Sequence, residues 1–225
     1  MLYIVRHGQT AKNRSKLLQG RSNEPLNEEG KIQAALAGEK LRALGVRNAK
    51  VYSSPLIRAV ETAEIIRKTI FSDAKNGAST AGFSGTADTL PDTVTVDERL
   101  IEMDYGPYEG MDLTNPAPEV IAFFKDFAGT PAPDGMEQLP HVVSRTGEFA
   151  DTVLKEAAEG DVIISTHAIA MKGILEYLTP ESHGSYWSKY IGNCEIYAAE
   201  AGPEGFGIPY SVNEEDFDTE ALRGV

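Results

Sequence analysis

The stretch "LYIVRHGQT" (2–10) joins an apolar run directly to a polar turn. Residues 2–5 are apolar or aromatic, as in a buried strand. Arg6 and His7 follow without a spacer, and Gly8 favours a turn. Such a strand either ends in an ordinary polar loop or delivers two functional side chains to the edge of a sheet. The choice between these interpretations depends on what the other strands carry at their ends.

Further apolar runs of strand length alternate with helical patterns along the chain. Strands are predicted at 2–5, near Val51 and Tyr52, at 93–96, at 161–165 and at 195–199. Helical periodicity covers 28–44, 55–70 and 139–158. An alternation of strands and helices over 225 residues is typical of one α/β domain. The sequence therefore predicts a single domain, 1–225, built as a three-layer sandwich with a mostly parallel central sheet.

Two segments interrupt this alternation. Residues 72–92 are rich in Gly, Ser, Thr, Ala and Asp, so we expect a flexible surface insertion there. Residues 111–140 are interrupted by prolines and contain one short helical pattern with Val120, Phe124 and Phe127 on a common face. Segments of this kind often cover a functional site, and we therefore expect a small helical cap.

Composition and charge exclude several classes of function. The net charge of −13 disfavours binding to nucleic acids or to anionic membranes. A single cysteine, Cys194, permits no intrachain disulfide and fits a reducing compartment. No run approaches the ~20 apolar residues of a membrane helix, and the N-terminus lacks a signal-peptide pattern. We therefore expect a cytoplasmic protein, and we make no prediction of its oligomeric state.

A second strand ends in the same way as the first. In "DVIISTHAIAMKGIL" (161–175) an apolar run leads to His167, and a helical pattern follows. The carboxyl ends of parallel strands meet at one edge of an open α/β sheet, and ligands bind at that edge. One such histidine is more often incidental, but two at equivalent strand ends favour a site that contains both His7 and His167.

A third basic residue belongs to the same edge. In "VYSSPLIRAVETA" (51–63), Ser54 can cap a helix and Pro55 fits its first position. Arg58 then lies in the first or second turn, where the helix dipole disfavours a cation. The position suits an arginine that binds an anion together with the helix terminus, whereas the alternative is an arginine exposed to solvent.

These positions together predict an anion site. Four potential cations, Arg6, His7, Arg58 and His167, converge in a chain of net charge −13. Guanidinium groups match phosphate oxygens, and a neutral imidazole can attack phosphorus to form a phosphohistidine. The sequence has no His-x-x-x-His and no cysteine cluster, so we expect neither a metal nor a cofactor.

Cleavage of a phosphate ester also needs a proton donor for the leaving oxygen. The segment "ERLIEMDYGPYEG" (98–110) follows the predicted 93–96 strand and supplies carboxyl groups. A carboxyl group beside phosphate charge retains its proton more readily than one in water. The candidates are Glu98, Glu102, Asp104 and Glu109, and spacing alone does not choose among them.

Four motifs in order resemble one known family. "RHGQT" with Asn13 beyond it, "SSPLIRAVETA", "LIEMDYGPYEG" and "STHA" resemble the histidine phosphatase superfamily, the two-histidine group that includes phosphoglycerate mutases and many metabolite phosphatases. The motifs span 2–168, and "APDGMEQ" and "NCEIYAAE" (193–200) are similar to later segments of the family. The resemblance implies that His7 is the phosphorylated nucleophile and Glu102 the acid. It also implies that the phosphoryl group is held by Arg6, Arg58, His167 and Asn13.

The chain departs from the family pattern at several places. Ala168 stands where the family usually has glycine, although its backbone N–H can still bind phosphate. Tyr108 replaces a common tryptophan, and with Phe123, Phe124 and Phe127 it suggests an apolar surface near the pocket. The insertion at 72–92 is longer than usual.

The balance of charge in the cap favours a phosphatase over a mutase. A mutase that acts on doubly phosphorylated sugar acids needs cations for the second anion, yet 111–140 contains only one basic residue, Lys125, against five acidic ones. Arg21 is the one other cation that we place near the mouth, as a possible substrate contact. We therefore expect a metal-independent phosphomonoester hydrolase for a small phosphorylated metabolite. A phosphoglycerate mutase and a non-catalytic phospho-ligand binding protein are the alternatives.

Overall fold

The computed structural model describes residues 1–71 and 93–212. The predicted insertion at 72–92 lies outside the described residues. The strands are β1 (Leu2–Arg6), β2 (Ala49–Ser53), β3 (Thr95–Val96), β4 (Asp161–Thr166), β5 (Ile196–Ala199), β6 (Ala201–Gly202), β7 (Gly205–Phe206) and β8 (Tyr210–Ser211). The α-helices are α1 (Ala11–Arg14), α2 (Glu28–Ala43), α3 (Ile57–Phe71), α4 (Pro118–Lys125), α5 (Leu139–Glu159) and α6 (Ala168–Leu178).

The central sheet has six strands in the order β3-β2-β4-β1-β5-β8 among the described residues. The first four of these pair in parallel, whereas β5 runs antiparallel to both β1 and β8. In the parallel register Arg6 lies opposite Thr166, and Ser53 lies opposite Ser165. This register brings the residues that follow β1, β2 and β4 to one edge of the sheet. The predicted α/β fold with a mostly parallel sheet is confirmed.

Strand β1 shows how the three layers are built. Its side chains alternate between two separate apolar clusters, as the pleat of a strand requires. Tyr3 and Val5 belong to a cluster with buried residues of α2 and α3, while Leu2 and Ile4 belong to a cluster with α5 and α6. Helices therefore cover both faces of the sheet, and the run at 2–5 is continuously apolar because both of its faces are buried.

The cap segment forms a third apolar cluster over the sheet edge. In α4 the buried residues are Val120 and Phe123, whereas Phe124 and Phe127 are partly buried against the same cluster. The predicted face of Val120, Phe124 and Phe127 is therefore wrong in part, because α4 ends at Lys125 and Phe127 lies beyond it. The cluster also contains Met103 and Trp187, so the cap packs against the loops that surround the edge.

Two predicted boundaries differ from the structure by two residues. Helix α3 begins at Ile57 rather than at residue 55, because the N–H of Ile57 donates to the Oδ1 of Asn23 at 2.7 Å and the residues before it form a turn. Strand β3 covers only Thr95–Val96 rather than 93–96, because it is an edge strand that pairs with the last two residues of β2.

No helix in the described ranges is long and apolar enough to cross a membrane.

The turn after β1 presses against the first turn of α2. A Cβ atom on Gly8 would lie 2.3 Å from the carbonyl oxygen of Gly30, and a Cβ on Gly30 would lie 2.1 Å from the carbonyl oxygen of Gln9. Both distances are far below van der Waals contact with backbone atoms, which cannot rotate away. Glycine at these two positions therefore permits the backbone contact that fixes the turn carrying His7.

Replacement of Gly30 by alanine should destabilise the fold. Alanine is normally preferred over glycine inside a helix by about 1 kcal/mol. The backbone clash should reverse that preference and lower the free energy of unfolding by about 1–3 kcal/mol, as overpacking typically does. Urea titration of the purified variant measures this change.

Gly160→Ala is the matched control, because a Cβ at Gly160 meets no atom within 4 Å. This control should keep wild-type stability within about 0.5 kcal/mol. A Gly30→Ala protein as stable as the wild type would show that the turn does not depend on close backbone contact.

Candidate active site

The sheet edge brings the predicted residues together. Arg6 ends β1 and His7 follows it, His167 follows β4 as the N-cap of α6, and Arg58 is the second residue of α3. Glu102 lies two residues beyond a short 3₁₀ turn, Glu98–Leu100. His7, Arg58, Glu102 and His167 are all buried, and the rings of the two histidines have centroids 5.1 Å apart.

A cavity of about 220 Å³ opens beside these residues. One part of its lining is polar and the other part is apolar. We call the first part the polar wall, which consists of Arg6, His7, Asn13, Gln19 and Glu102. We call the second part the apolar wall, which consists of Leu17, Leu113, Phe124 and Phe127. Leu18, Tyr105, Ala168 and Ile169 complete the lining.

The hydrogen bonds of His7 fix its tautomer. Its Nδ1 lies 2.7 Å from the carbonyl oxygen of Gly8, which can only accept, so Nδ1 carries the proton. Its Nε2 receives the Nε–H of Arg58 at 3.2 Å, so Nε2 presents a lone pair. Burial first, and then the charges of Arg58 and Arg6, hold the pKa of His7 well below 6.5. His7 is therefore a neutral imidazole with Nε2 available as a nucleophile.

His167 is held by a neighbouring strand end. Its Nε2 lies 2.7 Å from the Oγ of Ser54, and that oxygen also accepts the N–H of Leu56 at 3.3 Å. The hydroxyl proton of Ser54 is thus free to be donated to Nε2, which leaves the proton of the ring on Nδ1. Burial, followed by the charge of Arg58, holds the pKa of His167 well below 6.5.

Arg58 is a buried cation with neutral partners. Its Nη1 donates to the carbonyl of Ser22 at 2.7 Å, and its Nη2 donates to the carbonyl of Gly20 at 2.6 Å. Burial lowers its pKa to about 10, so the guanidinium remains charged at neutral pH. Its hydrogen-bond partners are uncharged, while the charges of Glu102 and Glu109 act to raise its pKa. A buried guanidinium with uncharged hydrogen-bond partners favours an anion in the site.

Three buried donors near the cavity have no partner. They are the Nε of Arg6, the Nε2 of Gln19 and the Nδ1 of His167. Arg6 and Gln19 line the cavity, whereas His167 lies beside His7 without lining it. Buried polar atoms are almost always hydrogen-bonded, so these free donors favour a ligand that supplies acceptors. Gln19 carried no recognisable signal in the sequence, where it is one polar residue in "LLQG".

The N-terminus of α6 holds the carboxylate of Glu102. Its Oε1 accepts the N–H of Ala170 at 3.0 Å and that of Met103 at 2.9 Å, and its Oε2 accepts the N–H of Ile169 at 3.3 Å. These bonds fix the carboxylate at the wall of the cavity.

The other three candidate carboxyl groups do not line the cavity. Glu98 is exposed, and Asp104 forms an ion pair with Arg21 at 3.2 Å. Glu109 accepts the backbone N–H of Gly20 at 2.9 Å, which supports the loop that holds Arg58. Geometry therefore distinguishes four carboxyl groups that spacing leaves equivalent.

The remaining predicted residues divide into two groups. Asn13 and Ala168 line the cavity, and the Oδ1 of Asn13 accepts from Asn193, whose Nδ2 also donates to the carbonyl of His7 at 3.0 Å. Arg21 does not line the cavity, because its guanidinium binds Asp104 and lies 3.4 Å from Glu137. In the described ranges, no group of three or more His, Cys, Asp or Glu residues could hold a metal ion.

The sequence matches a known family. A model of the histidine phosphatase superfamily (branch 1) matches residues 2–75 and 71–213. The bifunctional protein Rv2228c of Mycobacterium tuberculosis is 28% identical over 218 residues, which cover 95% of this chain and 53% of that protein. The chain thus spans about half the length of the first curated relatives that it matches. A probable phosphoglycerate mutase, GpmB of Yersinia pestis, is 28% identical over 181 residues, which cover 79% of this chain and 74% of that protein.

Solved structures share the architecture. A phosphoserine phosphatase mutant from Entamoeba histolytica, in complex with phosphoserine, has a TM-score of 0.71 over 94% of each chain, at 19% identity. At this identity the likeness shows the fold alone.

The lowered pKa values of both site histidines predict a loss of stability in acid. Unfolded histidine binds a proton near pH 6.5, whereas His7 and His167 remain neutral in the fold, so the unfolded state takes up more protons below that pH. The free energy of unfolding should therefore fall as the pH is lowered from ~7.5 to ~5.5, by up to about 1.4 kcal/mol for each histidine. Urea titrations at both pH values measure the change.

His167→Gln removes one of the two contributions and should show a smaller loss over the same interval. His183→Gln, which replaces an exposed histidine, should keep the wild-type dependence. Identical losses in all three proteins would contradict the assignment of neutral, buried imidazoles.

Proposed function

The chain belongs to branch 1 of the histidine phosphatase superfamily, and on that premise we propose that it is a phosphomonoester hydrolase. The proposed substrate is a small phosphorylated metabolite, and the proposed intermediate is a phosphohistidine on His7. One observation carries this proposal. His7 is neutral, its Nδ1 is bound to a carbonyl, and its Nε2 lone pair faces Arg58 beside a cavity that Glu102 also lines.

In the first step, Nε2 of His7 attacks the phosphorus atom while the bond from phosphorus to the ester oxygen breaks. Glu102, protonated when the ester binds, gives its proton to the leaving oxygen, and the alcohol departs. The Nε–H of Arg58, which points at Nε2 in the structure, is released to a phosphoryl oxygen as the lone pair forms the new bond. The carbonyl of Gly8 stabilises the positive charge that develops on the ring through the Nδ1–H.

In the second step, water attacks the phosphorus of phosphohistidine. The carboxylate of Glu102 takes a proton from that water, the P–N bond breaks, and Nε2 recovers its lone pair. Phosphate leaves, and Glu102 is again protonated for the next ester. Throughout both steps the free donors of Arg6, Gln19 and His167 are suited to the phosphoryl oxygens. Fixed cations and donors of this kind supply the charge stabilisation, so the proposal requires no metal ion.

Hydrolysis is favoured over mutase activity by the charges around the cavity. A mutase must bind a second anionic group, yet the apolar wall carries no cation. Arg21 is engaged by Asp104 and Glu137, and Lys12 lies within 4.0 Å of Glu24 and Glu109. The likeness to a probable phosphoglycerate mutase makes mutase activity the second candidate. Assays with and without 2,3-bisphosphoglycerate distinguish the two reactions.

The phosphohistidine can be trapped. Acid-labile label should appear on His7 within the first turnovers when wild-type protein is mixed with ³²P-labelled ester in the presence of EDTA and then quenched. His7→Ala should lose both the label and turnover, because the attacking nitrogen is gone. Peptide mapping of the quenched protein locates the label.

His183→Ala, which replaces an exposed histidine, is the control and should keep both label and turnover. Label on His167, or rapid turnover without label on any histidine, would overturn the mechanism.

Glu102→Gln should discriminate between leaving groups. A poor alkoxide leaving group needs the proton as the P–O bond breaks, so alkyl ester cleavage should slow by ~10²–10⁴-fold. Nitrophenolate leaves without that help, so phosphorylation of His7 by nitrophenyl phosphate should slow much less. Because the same carboxylate activates water, phosphoenzyme should accumulate, and stopped-flow absorbance should record a burst of nitrophenol.

Glu98→Gln, at an exposed carboxylate nearby in sequence, should behave as wild type. Equal slowing of both esters in Glu102→Gln, without a burst, would assign Glu102 a positional role only.

A further inference from the structure

The two walls of the cavity differ in chemistry in a way that phosphate binding alone does not explain. The polar wall, together with Arg58 and His167 beside it, supplies the donors that the proposed phosphoryl transfer uses. The apolar wall presents leucine and phenylalanine side chains to the part of the substrate beyond the phosphoryl group. On the basis of the proposed function, we propose that this part is a small, uncharged apolar alcohol, either a short aliphatic chain or a single aromatic ring.

Backbone pairing holds the leucines of the apolar wall in place. The N–H of Leu18 donates to the carbonyl of Met111 at 2.8 Å, and the N–H of Leu113 donates to the carbonyl of Lys16 at 2.9 Å. These bonds pair the segment after α1 with the start of the cap and set Leu17 and Leu113 on the same cavity. Leu113 is 40% exposed, so a bound apolar group would remove its side chain from water.

The two phenylalanines of the apolar wall are supported from behind by other rings. The ring of Phe124 meets the ring of Tyr105 edge to face at 6.2 Å, and it lies 5.5 Å from the ring of Phe127. Phe127 in turn packs 4.8 Å from Phe123 and 6.1 Å from Trp187. The wall is therefore a packed aromatic surface that favours an apolar contact.

Lys172 is a further cation close to the apolar wall, but it does not line the cavity. Lys172 on α6 is buried, and its Nζ donates to the carbonyl of Trp187 at 2.8 Å while lying 5.3 Å from the centre of the Phe127 ring. Burial lowers its pKa to about 8, which leaves the ammonium largely protonated at neutral pH, but Lys172 does not line the cavity. A carboxylate or second phosphate on the substrate would therefore meet an apolar surface without a cation, which is unfavourable.

Phe127 also limits the length of the alcohol. Its ring lines the 220 Å³ cavity and also a second cavity of about 600 Å³, whose lining includes Phe123, Leu139, Val143 and Trp187. The side chain thus divides the catalytic cavity from a larger apolar space. An alcohol that fits the catalytic cavity is short, and longer groups require displacement of this ring.

A matched series of esters tests the proposal. Ethyl, propyl, butyl and phenyl phosphate are compared with glycerol phosphate, phosphoserine and 3-phosphoglycerate. We expect kcat/KM to rise by about fourfold per methylene until the cavity is filled, the factor that ~0.8 kcal/mol represents at 25 °C. The three polar esters should be at least about tenfold poorer than butyl phosphate. Binding of ethyl, propyl and butyl phosphonate, measured by calorimetry, reports the same preference without turnover.

Variants of the apolar wall connect the preference to named residues. Leu113→Gln should abolish most of the chain-length dependence, and Leu113→Lys should raise kcat/KM for 3-phosphoglycerate relative to butyl phosphate. Phe127→Ala should extend the dependence to hexyl and octyl phosphate. Leu36→Gln is the matched control, because Leu36 is also exposed, at 58%, but lies on α2 away from this cavity, and it should behave as wild type.

Label on His7 and the affinity for phosphonates distinguish a failure of the apolar subsite from a failure of the proposed phosphatase activity. A preference for polar or charged esters, with label still formed on His7, would overturn the apolar subsite and leave the phosphatase in place. Phosphonate affinity that rises with chain length, without hydrolysis of any ester, would support the subsite and overturn the proposed function. Phosphonate affinity that is independent of chain length would overturn the subsite.

Discussion

The parallel pairing of β1 and β2 with β4 is the constraint on which the rest of the structure depends. Arg6 lies opposite Thr166 and Ser53 opposite Ser165, so the three strands end level with one another. His7, His167 and Ser54 are the next residues along these strands. Two further groups of the candidate site are fixed by helices that begin at this edge: α3 places Arg58, and the first turn of α6 holds Glu102. Because side chains alternate along a strand, a shift of one residue in the register would turn these groups away from each other.

Burial and positive charge act together on the two histidines. An arginine in water leaves a neighbouring imidazole largely unaffected, but in a buried site the same charge strongly disfavours protonation. Arg58 and Arg6 therefore keep both rings neutral while providing the attraction that an anion needs. The desolvation of these charges is costly without a ligand, which explains why carbonyl groups of residues 20 and 22 hold the guanidinium of Arg58 from the loop side. The charges of Arg58 and Arg6 thus favour an anionic ligand in the cavity that Glu102 also lines.

Local sequence patterns predicted the sheet, the principal helices and the convergence of Arg6, His7, Arg58 and His167, because strand length, helical period and strand-end polarity are properties of short segments. Contacts between distant segments were not predictable in this way. Ser54 was expected to cap a helix, and its Oγ accepts the N–H of Leu56, but the same oxygen also bonds His167. The N–H of Ile57 at the start of α3 donates to Asn23 instead. Glu102 is distinguished from Glu98 and Glu109 by its burial and by its hydrogen bonds to the first turn of α6, which no local pattern encodes. Arg21 was expected at the mouth of the cavity, but its guanidinium pairs with Asp104 and Glu137, which lie 83 and 116 positions further along the chain.

Because β1 lies between β4 and β5, the candidate site can form only after both of these later strands have been made. The proposed nucleophile is residue 7, but the backbone carbonyl that accepts from the side chain of Arg6 belongs to Ile191, and the side chain of Asn193 donates to the carbonyl of His7. Both neighbours of β1 in the sheet also come from the last third of the described chain. During synthesis on a ribosome, β1 therefore has no strand partner until β4, which ends at Thr166, has been made. Its second partner, β5, is complete only at Ala199. The candidate site therefore depends on contacts between segments that are far apart in sequence, and contacts of this kind are slow to form during folding.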